Sequence, residues 1–442
     1  MKNYPKKTIG ELCNIVKGET GIASAIAGEY PLVVTAKDRK TSATYQFDTQ
    51  AVCIPLVSSS GHGKKSLNYV HYQEGKFALG TILAAVIPKN NLEISADFLH
   101  QYLLFYKDIK IVPLMRGAAN VSLAVKDIAK IEIPLPPINE QKDFIVFFNK
   151  LQKFNDELVR EFDKQENYVS QLKQAILQEA IAGQLTAEWR TQNPMQKGNP
   201  DTDAAALLAK IKAEKQRLIA DGKLKKEKPL AEIAIDEIPF SIPDSWVWCR
   251  LGDIIKESPK NGYSPKAVSH PTNIKTLKLG ATTSGKFNPD ECKYIDEYIA
   301  PDSFLWLKKN DILIQRSNSL DYVGVSAIYD REDNQFIYPD LMMKIQMMQN
   351  VSIKFSYLLL SSQMTREYYR SLAKGAQKSM PKINQGVVLN TQFPLPPLAE
   401  QKAIVEKVDR LMNIIDRLEE QIKHRKQLAE DLMQTVLREA FE

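Results

Sequence analysis

A proline-rich segment of ten residues occurs twice in this 442-residue chain, 260 positions apart. It reads IPLPPINEQK at residues 133–142 and FPLPPLAEQK at residues 393–402. Proline fixes its own φ and disfavours helix in the residue before it, so each box ends an extended segment. The glutamate that follows suits the positive end of a helix. The repeat therefore predicts two related units, each ending in the same turn and a long helix.

The two predicted helices align over residues 134–181 and 394–441 without a gap, and about 15 of the 48 pairs are identical. Apolar residues recur at steps of 3, 4 and 7, which is typical of a coiled-coil seam. In the first copy the seam residues are Phe144, Phe148, Leu151, Leu158, Phe162, Val169, Leu172 and Ile176. In the second copy they are Ile404, Val408, Leu411, Ile415, Leu418, Ile422, Ala429, Leu432 and Val436.

Polar residues interrupt this seam at matching places, Gln165 and Arg425. A polar seam residue often fixes the register of a coiled coil, so we expect these two to do so. About 44 residues at ~1.5 Å each make a rod of about 65 Å. The alternative is a helix pair packed inside one globular core, and the long heptad pattern favours the rod. Gly183 is a natural helix-ending residue for the first copy.

Short landmarks before each box indicate that the preceding segments are also related. Gly10 and Gly252 stand in similar sequences, and Arg116-Gly-Ala and Lys374-Gly-Ala come near the end of each segment. Between these marks the two segments scarcely resemble each other. Apolar runs predict strands at 30–35, 51–57, 82–87, 311–315 and 323–329, and helices at 95–106, 204–220 and 353–371. The fold class is therefore mixed, α+β or α/β, with two sister domains diverged in the middle.

Composition excludes several classes of protein. The charge balance, 59 Lys+Arg against 53 Asp+Glu, gives a formal net charge of +6, which permits a polyanionic partner without requiring one. Four dispersed cysteines indicate reduced thiols and no zinc site. No apolar run approaches the ~20 residues that span a bilayer, and no secretory signal is visible. We expect a cytoplasmic protein.

Motifs that would carry catalysis are missing. The stretch at 61–66, GHGKKS, lacks the spacing of a phosphate-binding P-loop. The acidic turn at 289–293 is too crowded for a metal nuclease site, and no Gly-rich dinucleotide fingerprint follows a strand. No Asn-Pro-Pro-aromatic motif for amino-methyl transfer is present. The sequence therefore predicts a chain without an active site or a metal site of its own.

The doubled plan of a variable domain, a Pro-Leu-Pro-Pro box and a matching helix resembles the specificity subunits of type I restriction–modification systems. The resemblance covers nearly the whole chain. It includes the junction at 183–190, GQLTAEWR, the entry at 238–253, with IPF, WVW and LGD, and the segment DILIQRS at 311–317. The domain limits are then 1–137 and 246–397 for two target recognition domains, 138–183 and 398–442 for the conserved helices, and 184–245 for a linker.

What the resemblance implies is a DNA-reading scaffold. Each target recognition domain reads one half of a split, asymmetric sequence, and the two helices pack as an antiparallel coiled coil that sets the gap, giving a pseudo-twofold molecule. Two methyltransferase subunits, and in the full complex the motor-nuclease restriction subunits, assemble around it. S-adenosylmethionine, ATP and magnesium belong to those partners, and no cofactor is expected on this chain.

Candidate DNA-binding residues lie in loops that combine glycine with side chains suited to bases or phosphates. In the first domain they are Ser59, Ser60, His62, Lys64, Lys65, Arg116 and Asn120. In the second domain they are Asn261, Tyr263, Ser264, Lys266, Thr283, Lys286, Gln315, Arg316, Asn318, Lys374, Gln377 and Lys378. Each of these loops is otherwise an ordinary surface turn.

Two other functions stay open from the sequence. The chain is alternatively a single-chain DNA methyltransferase or nuclease with an unrecognised active site, which would modify or cut DNA without a partner. A coiled-coil adaptor with no DNA role would lack salt-dependent binding to DNA.

Overall fold

The computed structural model describes residues 4–60, 63–373 and 381–441. The candidates His62, Lys374, Gln377 and Lys378 lie outside the described residues. The chain forms two compact units, which we call the first and the second unit. The first unit contains the residues up to Lys164 together with those from Ile422 onward, and the second contains Gln165–Gln421.

The first unit contains ten strands and three short helices before the long helix begins. The strands are β1 Lys6–Thr8, β2 Cys13–Lys17, β3 Tyr30–Val33, β4 Lys40–Ser42, β5 Phe47–Asp48, β6 Ala51–Pro55, β7 His71–Gln73, β8 Lys76–Leu79, β9 Leu83–Pro88 and β10 Glu132–Pro134. The helices are α1 Ile9–Leu12, α2 Ala96–Phe105, α3 Val125–Ile128 and the long helix α4 Ile138–Ile181.

The second unit contains nine strands and eight further helices. The strands are β11 Val247–Arg250, β12 Lys260–Asn261, β13 Ala267–Val268, β14 Ile274–Leu277, β15 Cys292–Ile295, β16 Ile312–Gln315, β17 Ser326–Ile328, β18 Met342–Ile345 and β19 Gln392–Leu395. The helices are α5 Ala187–Gln192, α6 Ala204–Ala220, α7 Leu251–Ile254, α8 Gly280–Thr283, α9 Ile353–Ser361, α10 Gln363–Leu372, α11 Gln385–Leu389 and the long helix α12 Leu398–Phe441. Each long helix belongs to both units, since α4 enters the second unit after Lys164 and α12 enters the first unit after Gln421.

The same antiparallel sheet occurs in both units, which the weak sequence similarity between them did not reveal. Its strand order is β2-β9-β6-β7 in the first unit and β12-β18-β16-β17 in the second. A two-stranded ribbon closes each unit, β1 with β10 and β11 with β19. The remaining strands differ, since β4-β3-β8-β5 and β13-β15-β14 form unlike sheets. The mixed fold class and the divergence in the middle of each unit are therefore confirmed.

The predicted helix at 353–371 is in fact two helices. Ser362 interrupts it with an extended backbone, φ −65° and ψ 151°, and its hydroxyl accepts from the amide of Thr365 at 3.4 Å. Serine competes well for a helix N-terminus, so it starts α10 where apolar periodicity alone suggests one continuous helix. The helix predicted at 204–220 matches α6.

The glutamine of each proline box makes the same set of hydrogen bonds in both copies of the box. Gln141 and Gln401 are fully buried, and each donates from Nε2 to a proline carbonyl of its own box, at 2.8 and 3.0 Å. Their Oε1 atoms accept from the amides of Ser95 and Ser352, at 2.9 and 2.6 Å. Those serines cap α2 and α9. One side chain thus joins the turn to a helix of the preceding domain.

Within the second unit α4 and α12 run antiparallel. Thr186, just past the end of α4, donates to Glu400 in the first turn of α12 at 2.7 Å, whereas Lys173 pairs with Glu419 at 2.8 Å. Within the first unit Asp163 of α4 pairs with Lys426 of α12 at 3.2 Å. The pseudo-twofold arrangement and the five domain limits stay predictions.

Most of the predicted seam residues are buried or half-buried, and three assignments are wrong. Leu172, Leu418 and Leu432 are 46%, 39% and 62% exposed, so these three side chains are not buried in the seam. The register role predicted for Arg425 stays a prediction. Its side chain is exposed, and its guanidinium lies 5.7 Å from the centre of the ring of Phe162, a seam residue. Gln165 is half-buried in the seam as expected.

The segment predicted as a linker packs on the second unit. Lys215 of α6 donates to the carbonyls of Gly252 and Ile255, at 2.9 and 2.8 Å. The amide of Leu398, at the start of α12, donates to the Pro200 carbonyl at 3.1 Å. Residues 184–245 are therefore held by the second unit and are not a free tether. No helix of the described ranges is long and apolar enough to cross a membrane.

The close packing of Gly324 gives a first stability prediction. Its φ is +79°, and a Cβ there would clash with the ring of the buried Tyr369. We expect Gly324→Ala to lower the free energy of unfolding by about 2 kcal/mol, since it adds both backbone strain and overpacking. Gly198→Ala is the control, because φ is +84° there and no atom lies within 4 Å of its Cβ. Equal losses of thermal stability in the two variants would contradict the prediction.

Candidate nucleic-acid interface

Two of the predicted loops lie side by side in the first unit. The amide of Ser58 donates to the Val121 carbonyl at 3.0 Å, and the amide of Leu123 donates to the Leu56 carbonyl at 2.8 Å. A Cβ on Gly63 would clash with the Ala118 carbonyl, so glycine permits this close approach. The sequence-picked segments 58–65 and 116–120 therefore form one surface, although they are over 50 positions apart.

The serines of this surface hold its backbone in place. Ser59 Oγ accepts from the Asn68 amide at 3.0 Å, and Ser60 Oγ lies 2.7 Å from Ser66 Oγ. Ser58 Oγ donates to the Lys64 carbonyl at 2.6 Å. Ser59 and Ser60, predicted as DNA contacts, instead use these atoms within the loop.

The charged side chains of the same surface point to solvent. Lys64, Lys65 and Asn120 are exposed, and the Arg116 side chain is 78% exposed. The Arg116 guanidinium lies 3.7 Å from the buried Asp127 carboxylate, a long and weak ion pair at this exposure. Lysine and arginine at the rim of a loop are the groups that contact phosphates. We call Lys64, Lys65 and Arg116 the first basic cluster.

The equivalent hairpin of the second unit lies between β16 and β17. The amide of Ile383 donates to the Arg316 carbonyl at 3.0 Å, which repeats the Leu123–Leu56 bond 260 positions later. The structure therefore places the segments around 58–65 and 316–325 at the same topological position. Aligning β6 with β16 at an offset of 260 residues, the same offset that relates the two long helices, would have revealed this equivalence in the sequence.

Two predicted base-reading residues of the second hairpin are committed to the interior. Gln315 is fully buried, and its Nε2 donates to Thr282 Oγ1 at 3.0 Å and to the Leu279 carbonyl at 3.1 Å. Asn318 donates to Gln315 Oε1 at 2.7 Å and accepts from the Ser319 amide at 2.8 Å. We correct both assignments, because an amide already satisfied inside the protein is not available to a base.

Four other candidates of the second unit converge on one short segment. Ser264 Oγ donates to Asp340 Oδ1 at 2.5 Å, and Arg316 donates to the Asp340 carbonyl at 3.3 Å. The amide of Tyr263 donates to the Tyr338 carbonyl at 2.9 Å. Asn261 lies in β12 beside Met343, and its Oδ1 is buried with no hydrogen-bond partner among the described residues. Lys266 is exposed two residues beyond Ser264.

The phenol of Tyr263 is held in its protonated form. It donates to the Glu297 carboxylate at 2.9 Å, and this hydrogen bond, followed by the charge of Glu297, raises the pKa of Tyr263. The ring itself is 44% exposed. Tyr263 therefore presents an apolar ring face and no anionic charge at neutral pH.

The remaining two candidates face another side of the second unit. Thr283 Oγ1 donates to the Leu279 carbonyl at 2.9 Å, and Lys286 lies 4.0 Å from Asp416 of α12. Both line a cavity of about 560 Å³ with residues of α9 and the two long helices, including Lys354 and Val408. Tertiary packing brings this turn to the helix pair, and the DNA contacts predicted for both residues stay a prediction.

The sequence analysis missed the exposed tip of the second hairpin, residues 319–322, and the arginines that hold it. Among the residues that the structure describes, no three His, Cys, Asp or Glu side chains are placed to hold a metal ion. The four cysteines are unpaired, and burial raises the pKa of the Cys13 and Cys53 thiols to about 12. The described surface thus offers basic and polar loops for binding.

Comparisons with known proteins agree with this geometry. The family described as the type I restriction modification DNA specificity domain matches residues 1–165 and 243–425. The type I restriction enzyme EcoEI specificity subunit of Escherichia coli is 28% identical over 264 residues, 59% of this chain and 43% of that protein. The EcoAI specificity subunit is 29% identical over 67% of this chain and 55% of its own length. The chain thus spans about half the length of these two relatives.

Two further comparisons cover the chain more fully. The Escherichia coli EcoDI specificity subunit is 25% identical over 98% of this chain and 87% of its own length. A solved chain from a study of complex assembly and conformational transition of the type I R-M system superposes with a TM-score of 0.66 at 15% identity, over 100% of this chain and 98% of the other. That likeness concerns the fold alone. Because the family match spans well over half of the residues, the chain belongs to the type I restriction modification DNA specificity family.

Proposed function

We propose that the chain is the sequence-specific DNA-recognition subunit of a type I restriction–modification complex and has no catalytic site of its own. The observation that carries this is the duplicated surface. Each unit presents a hairpin loop at the same position of the same sheet, and a 44-residue helix follows each globular part. Because the side chains of the two loops differ, the two units would read unlike half-sites. The target is therefore bipartite and asymmetric.

The phosphate contacts of the first half-site are assigned to the first basic cluster. In the second unit Arg316 and Lys266 take this role, and Tyr263 and Asn261 lie beside them. S-adenosylmethionine, ATP and magnesium are assigned to the partner subunits, and the complex to the cytoplasm. Charged groups at the rim position the duplex, whereas base edges are read by groups that reach into a groove.

An experiment on the assembled methyltransferase tests this function. The chain is purified with its methyltransferase subunit, and methylated sites are mapped in a library of random sequences. We expect two short half-sites separated by a fixed, unspecified gap, and exchange of residues 246–397 should change one half-site only. A single continuous site would contradict the proposal. Methylation or cleavage of DNA by the chain alone would instead support the single-chain enzyme.

A repeated apolar stripe supports the partner assignment. Three aligned pairs of large apolar residues are exposed on the long helices, each pair 260 positions apart. The pairs are Phe154 and Ile414, Tyr168 and Leu428, and Leu172 and Leu432, each residue between 46% and 63% exposed. Exposed apolar residues in such a row mark a protein contact. We assign the stripe to the two methyltransferase subunits, one for each copy, because identical positions suit identical partners.

This assignment predicts the effect of a charge on the stripe. We expect Leu172→Glu and Leu432→Glu each to weaken the binding of methyltransferase subunits by at least about tenfold, because a carboxylate would be buried without a partner. The control is Gln171→Glu, which adds the same group at a neighbouring exposed position. Titration calorimetry and thermal unfolding would be compared for the variants. Undiminished binding in both leucine variants would place the partners elsewhere.

A further inference from the structure

The second hairpin ends in a short tip, residues 319–322, whose backbone is almost fully bonded. The Ser319 carbonyl accepts from the amides of Tyr322 and Val323, both at 3.0 Å, and the Tyr322 carbonyl accepts from the Val325 amide at 2.9 Å. In the part of the chain that the structure describes, no backbone amide donates to the carbonyls of Leu320 and Asp321. Their carbonyls are bound by arginine side chains.

Two arginines of α10 supply those donors. Arg366 donates to the carbonyls of Asp321 and Val323, at 2.7 and 2.5 Å, and Arg370 donates to the Leu320 carbonyl at 3.2 Å. Positions 366, 369 and 370 share one face of the helix, and Tyr369 between them packs on Gly324. Burial lowers the pKa of Arg366 to about 10, which leaves it charged at neutral pH. The planar arginine fork binds the Asp321 and Val323 carbonyls at once through two separate nitrogens, Nη2 and Nη1.

The side chains of the tip are left to solvent. Leu320 is 51% exposed, Tyr322 is 40% exposed and Asp321 is exposed between them. The half-buried Arg366 and the exposed Arg370 hold the tip backbone in place while its apolar side chains stay in solvent, which suits a tip that has a ligand. Apolar side chains contact the thymine methyl group in the major groove, and aspartate accepts from the cytosine amino group. None of these three side chains is basic, so none of them is suited to bind a phosphate.

The first unit holds its equivalent loop in a different way. There the loop is fixed by the hydroxyls of Ser58, Ser60 and Ser66, and its exposed residues include Lys64 and Lys65. After α2 the chain continues as a π-helical turn, Lys107–Ile111, at the place where α10 follows α9 in the second unit. We call Arg366 and Arg370 the arginine clamp, and among the described residues it occurs at the second hairpin and not at the equivalent loop of the first unit.

We infer that Leu320, Asp321 and Tyr322 determine specificity for the second half-site, with Arg366 and Arg370 as positioning residues that fix the tip. This rests on the proposed function and deepens it. The ligand is a duplex read through base edges, with a cytosine amino group opposite Asp321 and a thymine methyl group against Leu320 or Tyr322. Without the two arginines, the side chains of the tip would still be present, but the backbone that positions them would no longer be fixed.

The test uses the chain assembled with its methyltransferase subunits. Targets are randomised in one half-site at a time, and the second half-site is identified as the one altered by exchange of residues 246–397. We expect Asp321→Asn and Tyr322→Ala to change base preference at one or two positions of that half-site by about tenfold. The double variant Arg366→Met with Arg370→Met should reduce discrimination there by a similar factor. The first half-site should keep its preferences throughout.

The control for the clamp is Arg331→Met, which removes an arginine whose partner is Asp330 on another loop of the same unit. Unchanged preferences in both tip variants would overturn the inference, as would an equal loss at both half-sites in the clamp variant. Should the clamp variant fail to fold, the exposed tip variants decide the question alone. Failure of the proposed function looks different, since the unaltered complex would then select no two-part target.

Discussion

Replacing Glu400 with alanine is expected to lower the free energy of unfolding of the second unit by about 3–5 kcal/mol, the usual loss when a buried ion pair is broken from one side. The Glu400 carboxylate is fully buried and accepts three hydrogen bonds. They come from Thr186 Oγ1 at 2.7 Å, Arg190 Nη1 at 2.5 Å and Trp246 Nε1 at 2.8 Å. Alanine would leave the Trp246 donor and a largely buried guanidinium unpaired, while Glu400→Gln should lose less.

The measurement is direct, because all four tryptophans of the chain, residues 189, 246, 248 and 306, belong to the second unit. Urea unfolding followed by tryptophan fluorescence therefore reports that unit. The matched control is Glu140→Ala, the same residue in the first proline box, where Tyr4 donates to a half-exposed carboxylate at 2.6 Å. We expect this control to shift the fluorescence transition by about 1 kcal/mol or less. Equal shifts in the two variants would show that the hydrogen bonds to Glu400 contribute no more to the free energy of unfolding than the contacts of Glu140 do.

The two boxes show which part of a fold a repeated sequence can reveal. Gln141 and Gln401 have the same partners in both copies, so the repetition itself pointed to a shared structure. Glu140 and Glu400 are equally well matched in sequence, yet only the second gathers Arg190 and Trp246. Those donors come from residues 184–246, which lie between the first long helix and the second domain. Identity in a repeat therefore predicts backbone position better than it predicts side-chain contacts.

The helices show a similar limit. Steps of 3, 4 and 7 correctly predicted two helices of 44 residues and most of their seam. They assigned Leu172 and Leu432 to the seam as well, although both are exposed. A leucine at a plausible spacing fits either a seam or a second apolar face, and only the packed structure distinguishes the two. The same ambiguity hid the stripe that we assign to the partner subunits.

For the candidate interface, the sequence picked two loops that the structure brings together, at 58–65 and 116–120, and their role at DNA stays a prediction. Gln315 was assigned to a loop, but it is the last residue of β16, and its side chain faces inward. Lys286 is exposed and lies 4.0 Å from Asp416 of α12, a neighbour that the sequence did not predict. Contacts between distant segments decide such placements, and a single sequence does not contain them.

The largest effect on DNA binding is expected from neutralising the first basic cluster. In the assembled complex, Lys64→Ala, Lys65→Ala and Arg116→Ala combined should weaken DNA binding by about a hundredfold near physiological salt. The slope of log K against log salt concentration should become shallower by about 3, since each phosphate contact contributes about 0.9 through counterion release. Targets with matched and mismatched first half-sites should lose affinity by similar factors, because phosphates carry no sequence information.

A control with the same change in charge separates this effect from net electrostatics. Lys223→Ala, Lys225→Ala and Lys226→Ala remove three exposed cations from the segment that packs on the second unit. If the first basic cluster contacts phosphates, the control should leave the salt slope nearly unchanged, because screening at ~0.15 M weakens charges more than about 8 Å from the duplex. Equal slopes in the two triple variants would mean that only the overall charge of +6 attracts DNA. The loops at 58–65 and 116–120 would then have no specific place at the duplex.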